Sequence, residues 1–393
     1  MRGGRLWPER PLARGVLLGV AATLVALAAG GLLFAVSGIY HVGASTGHWA
    51  ITRALITIGL HSAVRTHSIG VEPPQDLDDP DRIRLGAGHF AGGCAPCHGA
   101  PGVPQNPITR GMLPPPPGLS HAVNDWETAE LFWIVKHGLK YTAMPAWPAL
   151  KRDDEVWSMV AFLERLPELS AEDYQGLANF DAAEGTAAEP EGRATLSATL
   201  TACARCHGDE DSPPTSRLVP KLPGQSVAYL RSALDDYANG TRFSGVMEPV
   251  AAELDEAAIA SLSAYYSVLR QSGEAPTEAT TDDERIVRGR GIATEGVPSE
   301  GIPPCLACHG DGDSDIFPRL EGQHAPYIEA QLKAFKEERR GVTATGAIME
   351  AIAERLTEEH MEDAAAYFAS RPARGGRGSG AAGAETEPAE AGQ

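Results

Sequence analysis

The chain has 393 residues, with 52 acidic against 33 basic side chains and a net charge of −19 at pH 7. That length leaves room for two to four domains. The acidic balance argues against nucleic acid as a partner, because a binding face for phosphates needs clustered lysine and arginine.

In chain order the first predicted element is hydrophobic. Arg2, Arg5, Arg10 and Arg14 precede an uncharged run from Val16 to Tyr40, long enough to cross a bilayer. Arginines on its amino-terminal side predict that this end stays in the cytoplasm and that the chain beyond Tyr40 lies in the periplasm. Residues 1–45 therefore read as a cytoplasmic N-terminus and a single-pass anchor in the inner membrane. A cleaved signal peptide is the alternative, since Ala26 to Ala28 resembles a processing site; the apolar run continues well past it, which favours the anchor. The next stretch, Trp49 to Val64, has sixteen residues, includes Arg53 and is short for a span. Residues 46–80 read as a linker with a helix that lies either at the lipid interface, with Trp49 near the headgroups, or against the domain that follows.

All six cysteines fall in three C-x-x-C-H motifs: Cys94, Cys97 and His98; Cys203, Cys206 and His207; Cys305, Cys308 and His309. A lone C-x-x-C suits half a zinc site or a redox dithiol, but neither needs a histidine at the next position three times over. Two cysteines three apart on a helical turn place both sulfurs on one side, where they form thioethers with the two vinyl groups of one porphyrin. The histidine then reaches the iron. The pattern predicts three covalently bound haem c groups.

The motifs stand 109 and 102 residues apart, a domain's length each. They divide the chain into segments 81–175, 185–272 and 283–371, separated by small, acidic stretches at Gly176 to Gly192 and Gln271 to Glu284. Residues 372–393 have almost no apolar side chains and are expected to be disordered. The second and third segments are repeats: Val219 to Tyr237 matches Phe317 to Phe335, with Gln225 opposite Gln323 and Tyr229 opposite Tyr327. Apolar residues at three and four spacing predict helices throughout, with Asp255 and Thr357 as N-caps. Met247 and Met349 each lie forty residues after their motif histidine, and that matched offset selects them as sixth iron ligands over Met361. In the first segment Met144, forty-six residues after His98, is chosen over Met112 and Met159.

The motif, methionine and terminal-helix order resembles class I cytochrome c, and the second and third segments resemble cytochrome c4 and the small bacterial cytochromes c553. The resemblance implies an all-α fold in which an N-terminal transmembrane helix is followed by three class I cytochrome c domains, each with first and last helices crossing beside the haem. It also implies that a prolyl carbonyl, from Pro117, Pro220 or Pro318, holds the other ring nitrogen of each motif histidine. Gly86 and Phe90 fit the first helix of the family, whereas Thr195 and Thr199 stand at those places in the second segment, so that helix is expected to pack differently. His41, His48, His61, His89, His121 and His137 carry no motif and read as ordinary polar residues.

Histidine and methionine together close both axial positions, which points to electron transfer rather than catalysis. The expected function is a membrane-anchored periplasmic relay of single electrons between respiratory partners, toward a terminal oxidase, with a quinol-oxidising complex as a further partner. An electron-accepting subunit of a periplasmic dehydrogenase is the alternative. A haem peroxidase would need one haem without a strong sixth ligand, and a sensor would need an output domain.

Overall fold

The computed structural model describes residues 11–178, 191–209, 212–270, 283–310 and 315–373, with side chains from 198 onward in the second range. The arginine-bearing stretch up to Arg10, most of both expected linkers and nearly all of the expected tail lie outside the described residues. Among the described residues the regular structure is helical, with only isolated β-bridges.

Helix α1 (Pro11–Val36) is apolar and exposed along its length. Its Leu12–Val36 stretch has a mean hydropathy of 2.4 and suits a membrane crossing by length and composition. Beyond it Phe34, Tyr40 and Trp49 gather with ring centroids 5.2 to 6.5 Å apart, and the Tyr40 hydroxyl meets His48 Nδ1 at 2.6 Å. Helix α2 (Ala50–His67) has two characters. Its second half docks on the next segment, with Val64 fully buried and the rings of His61 and His67 stacked on Trp126 and Trp133. Its first half turns Ile51, Leu55 and Ile58 outward, each 62 to 65% exposed.

The first segment contains α3 (Pro80–Gly93), α4 (Ala95–His98), the short turns α5 (Pro107–Arg110) and α6 (Leu119–Ala122), then α7 (Thr128–His137), α8 (Asp153–Arg165) and α9 (Ala171–Leu177). Helix α3 crosses α8 at Gly86, where a Cβ would lie 2.2 Å from the Ser158 carbonyl oxygen. Phe90, Phe162 and Tyr174 fill the centre. Ala178 is also fully buried there, so this core runs past the boundary expected at 175, because α9 brings Tyr174 back onto Phe90.

The second segment contains α10 (Glu191–His207), α11 (Val227–Ala238), α12 (Met247–Ala252) and α13 (Glu256–Val268). Helix α10 continues unbroken through the C-x-x-C-H motif, unlike its counterparts. Leu200 and Cys203 pack on Leu230, Tyr266 and Leu269, and Cys206 comes against Gly88 of α3, 3.3 Å from where a Cβ would stand. The third segment contains α14 (Glu284–Glu295), α15 (Leu306–His309), α16 (Ala325–Lys336), α17 (Ala344–Ala353) and α18 (Glu358–Ser370). Helices α14 and α18 cross at Gly289, whose Cβ would fall 1.9 Å from the Asp363 carbonyl oxygen. Arg288 grips Asp363 from Nε and Nη2 at 2.6 and 2.8 Å. Asp255 caps α13 and Thr357 caps α18 through side-chain oxygens.

The second and third segments meet reciprocally. Gln225 donates to the Arg319 carbonyl at 2.7 Å and accepts from its N–H at 2.9 Å, while Gln323 does the same to Lys221 at 3.1 and 3.0 Å. Lys221 and Arg319 occupy equivalent repeat positions, as do the two glutamines, so the seam has the self-complementary form of a two-fold dimer within one chain. The first segment is joined to the second at Asp81, which accepts from the Arg217 N–H and Nε at 2.8 and 2.7 Å. The Asp81 carbonyl accepts from Ser216 Oγ at 2.8 Å.

Candidate haem-binding sites

Each motif sits on one helical turn, with His98 and His309 donating their backbone N–H to Cys94 and Cys305 carbonyls at 2.9 Å. After His207 the chain must leave the helix sharply. Gly208 makes this turn at φ +71, where a Cβ would be 2.2 Å from the Ser212 carbonyl. The three histidine rings are held alike: Nδ1 of His98, His207 and His309 lies 2.9, 3.0 and 2.8 Å from the carbonyl oxygens of Pro117, Pro220 and Pro318. A carbonyl only accepts, so Nδ1 carries the proton and Nε2 of the neutral ring keeps a free lone pair. Burial holds His207 and His309 below the ordinary imidazole pKa, only partly offset by the prolyl carbonyls, which keeps those rings neutral and able to ligate.

At least one thiol of each motif is poorly suited to act as a thiolate. Burial pushes Cys94 up to about 12, and Cys203 and Cys305 to about 11. A redox dithiol or a zinc site needs the opposite shift. No group of three His, Cys, Asp or Glu side chains placed to hold a metal ion occurs among the described residues.

The methionines divide by environment. Met159 and Met361 are 1% exposed inside α8 and α18, as core fillers are. Met144, Met247 and Met349 are half-buried, and so is Met112, so in the first segment burial does not choose between Met112 and Met144. Met144 stands in the turn after α7, its N–H on Thr142 Oγ1 at 3.1 Å. Met247 opens α12, and Met349 is on α17.

Residues 81–163 match the family pattern of cytochrome c oxidase, cbb3-type, subunit III, and residues 299–372 match that of cytochrome c. A thiosulfate dehydrogenase electron acceptor of Thiomonas intermedia (strain K12) is 34% identical over 191 residues, 47% of this chain and 85% of that protein. The chain belongs to the cytochrome c family. A cytochrome c4 of Pseudomonas aeruginosa is 31% identical over 198 residues, 49% of this chain and 92% of that protein. Among solved structures, cytochrome c4 of Acidithiobacillus ferrooxidans is 33% identical, covers 43% of this chain and 97% of that chain, and superposes with a TM-score of 0.38.

A cytochrome c carries covalently bound haem c, whose two propionates are acidic, and a place in this cytochrome fits them. Arg242 and Arg340 face one another across the seam between the second and third segments, beside Tyr229 and Tyr327, whose hydroxyls lie 3.5 Å from Arg242. The Nε of each arginine is buried without a hydrogen-bond partner in the protein. Burial and the neighbouring Arg242 depress the Arg340 pKa. Burying two neighbouring guanidiniums is costly without a counter-charge, and a propionate would supply one. Sequence reasoning missed both arginines, although Tyr229 and Tyr327 already marked the place as matched repeat positions. His89, which carries no motif, lies against the Trp147 ring at 4.9 Å, and burial, then Arg205, lowers its pKa to about 4.

Proposed function

We propose that this cytochrome c is a membrane-tethered, periplasmic relay that passes single electrons through three haems. The observation that carries the reading is one arrangement repeated three times: two cysteines, a histidine whose Nδ1 is committed to a prolyl carbonyl at 2.8 to 3.0 Å, and a half-buried methionine downstream. Cys94/Cys97, Cys203/Cys206 and Cys305/Cys308 attach the porphyrins. His98, His207 and His309 would ligate the irons through their free ring nitrogens, and Met144, Met247 and Met349 would supply the second protein ligand to each. Bound haem c supplies a one-electron iron couple whose potential a thioether ligand raises. The protein orients the histidines through Pro117, Pro220 and Pro318, neutralises propionates with Arg242 and Arg340, and closes the sixth position to small ligands.

Helix α1 supplies the tether, with Tyr40 and Trp49 at the headgroup level, and the outward row of α2 rests on the lipid surface. A terminal oxidase is favoured as acceptor by the oxidase-subunit pattern over residues 81–163. A second reading, the electron-accepting subunit of a periplasmic dehydrogenase, is favoured by relatives named as thiosulfate dehydrogenase electron acceptors, whose match is long enough to take in two segments. A quinol-oxidising complex is a further candidate donor. The reading is tested by mass spectrometry of the mature protein: three haem additions that survive denaturation are expected, and two would overturn it.

A further inference from the structure

The seam between the first and second segments passes through the turn that carries Met247. Glu155, in the first turn of α8, is 6% exposed. Its carboxylate accepts from Ser244 Oγ and the Gly245 N–H, both at 2.7 Å, and from Trp147 Nε1 at 3.3 Å. The Arg152 guanidinium stands 3.0 Å away. Arg152 is itself buried and donates to the Phe243 carbonyl at 2.7 Å. Two side chains of one segment thus bind residues 243–245 of another, and the ion pair with its hydrogen bonds offsets the cost of burying the carboxylate.

That grip leads directly to the methionine. Having donated its proton to Glu155, the Ser244 hydroxyl turns its lone pairs to the N–H groups of Val246 and Met247 at 3.3 and 3.0 Å. It thereby caps the helix that Met247 opens. Gly245 seats the turn against the indole, since a Cβ there would be 1.9 Å from Trp147 Nε1. In the third segment the cap needs no side chain from a neighbour: Thr343 caps α17 by accepting from the Gly346 N–H at 2.9 Å, although Val342 before it donates its N–H to the Thr241 carbonyl of the second segment at 2.7 Å.

We infer that Glu155 is a positioning residue for Met247: through Ser244, the first segment sets the turn from which the second segment's methionine reaches its iron. The cap before Met349 is a side chain of its own segment, Thr343. The inference rests on the reading of Met247 as an axial ligand.

The test uses the full-length, haem-loaded protein. The readouts are the ferric sulfur-to-iron charge-transfer band and the carbon monoxide bound per chain after reduction. Glu155→Gln and Ser244→Ala should each weaken the band by up to one haem's share and admit up to one carbon monoxide, with covalent haem content unchanged. Adding Glu155→Gln to Met349→Ala should deepen the loss, whereas adding it to Met247→Ala should change nothing further. A full band in both Glu155→Gln and Ser244→Ala, beside a lost share in Met247→Ala, overturns the positioning role and leaves the ligand reading standing. A full band in Met247→Ala overturns the ligand reading and the inference with it. If Glu155→Gln yields no loaded protein, Ser244→Ala decides alone.

Discussion

At the scale of single residues, burial marks Met159 and Met361 as core fillers, while the proposed ligands Met144, Met247 and Met349 share their half-buried state with Met112. Replacing Met159 or Met361 by leucine should cost less than about 1.5 kcal/mol in denaturant unfolding and leave carbon monoxide binding negligible. Met144→Ala and Met349→Ala should each open one iron to carbon monoxide and lower its potential. The offset of forty residues made Met247 and Met349 legible, because a repeat preserves the distance from histidine to methionine. Arg242 and Arg340 were legible only from the other side of the repeat, since each lies thirteen residues after its matched tyrosine, Tyr229 or Tyr327, whereas the count back from the methionines, five and nine residues, hides the match. Only the pairing of Arg242 with Gly341 across the seam brings them together. A second residue-scale prediction concerns pH. His324 Nδ1 donates to the Val219 carbonyl at 3.2 Å, and burial, then Lys221, lowers its pKa from 6.5 to about 4. The unfolded chain takes up this proton near pH 6.5 and the folded chain only near 4. Stability should therefore fall as pH drops through that window and be indifferent to this group above it. His324→Asn should flatten that part of the profile in denaturant unfolding.

At the scale of helices, glycine decides how closely first and last elements cross. Gly86→Ala and Gly289→Ala each put a methyl group within 2.2 Å of a carbonyl oxygen. The backbone has to separate, and unfolding midpoints should fall by an amount equivalent to about 1–3 kcal/mol or more. Apolar spacing and the caps at Asp255 and Thr357 made these helices readable from the amino-acid sequence. The docking of α2 was one of two readings, and the sequence could not choose between them, because the stacking of His61 on Trp126 joins residues far apart along the chain and leaves no local signal. The departure at Thr195 and Thr199 did point to a real difference: α10 runs straight through its motif and leans on α3 of the first segment.

At the scale of the whole molecule, the proposed membrane contact rests on two different surfaces, α1 and the outward row of α2. The intact chain should stay with membranes through high-salt and carbonate washes if α1 is retained, and a chain beginning at Ala50 should be released by them. Changing Ile51, Leu55 and Ile58 together to serine in that shorter chain should abolish its residual binding to vesicles, measured by flotation. Beyond the membrane, the seams converge on one place. Asp81 reaches Ser216 and Arg217, Glu155 reaches Ser244 and Gly245, and Gln225 and Gln323 clasp the repeats. The outer segments touch one another only lightly by comparison, through Lys151 and Asp154 at the Glu338–Arg339 turn. The middle of the chain is therefore a keystone. On heating, it cannot melt ahead of its neighbours without baring both of their contact faces at once, so its loss takes both with it, and the three units melt as a linked array rather than as beads on a string.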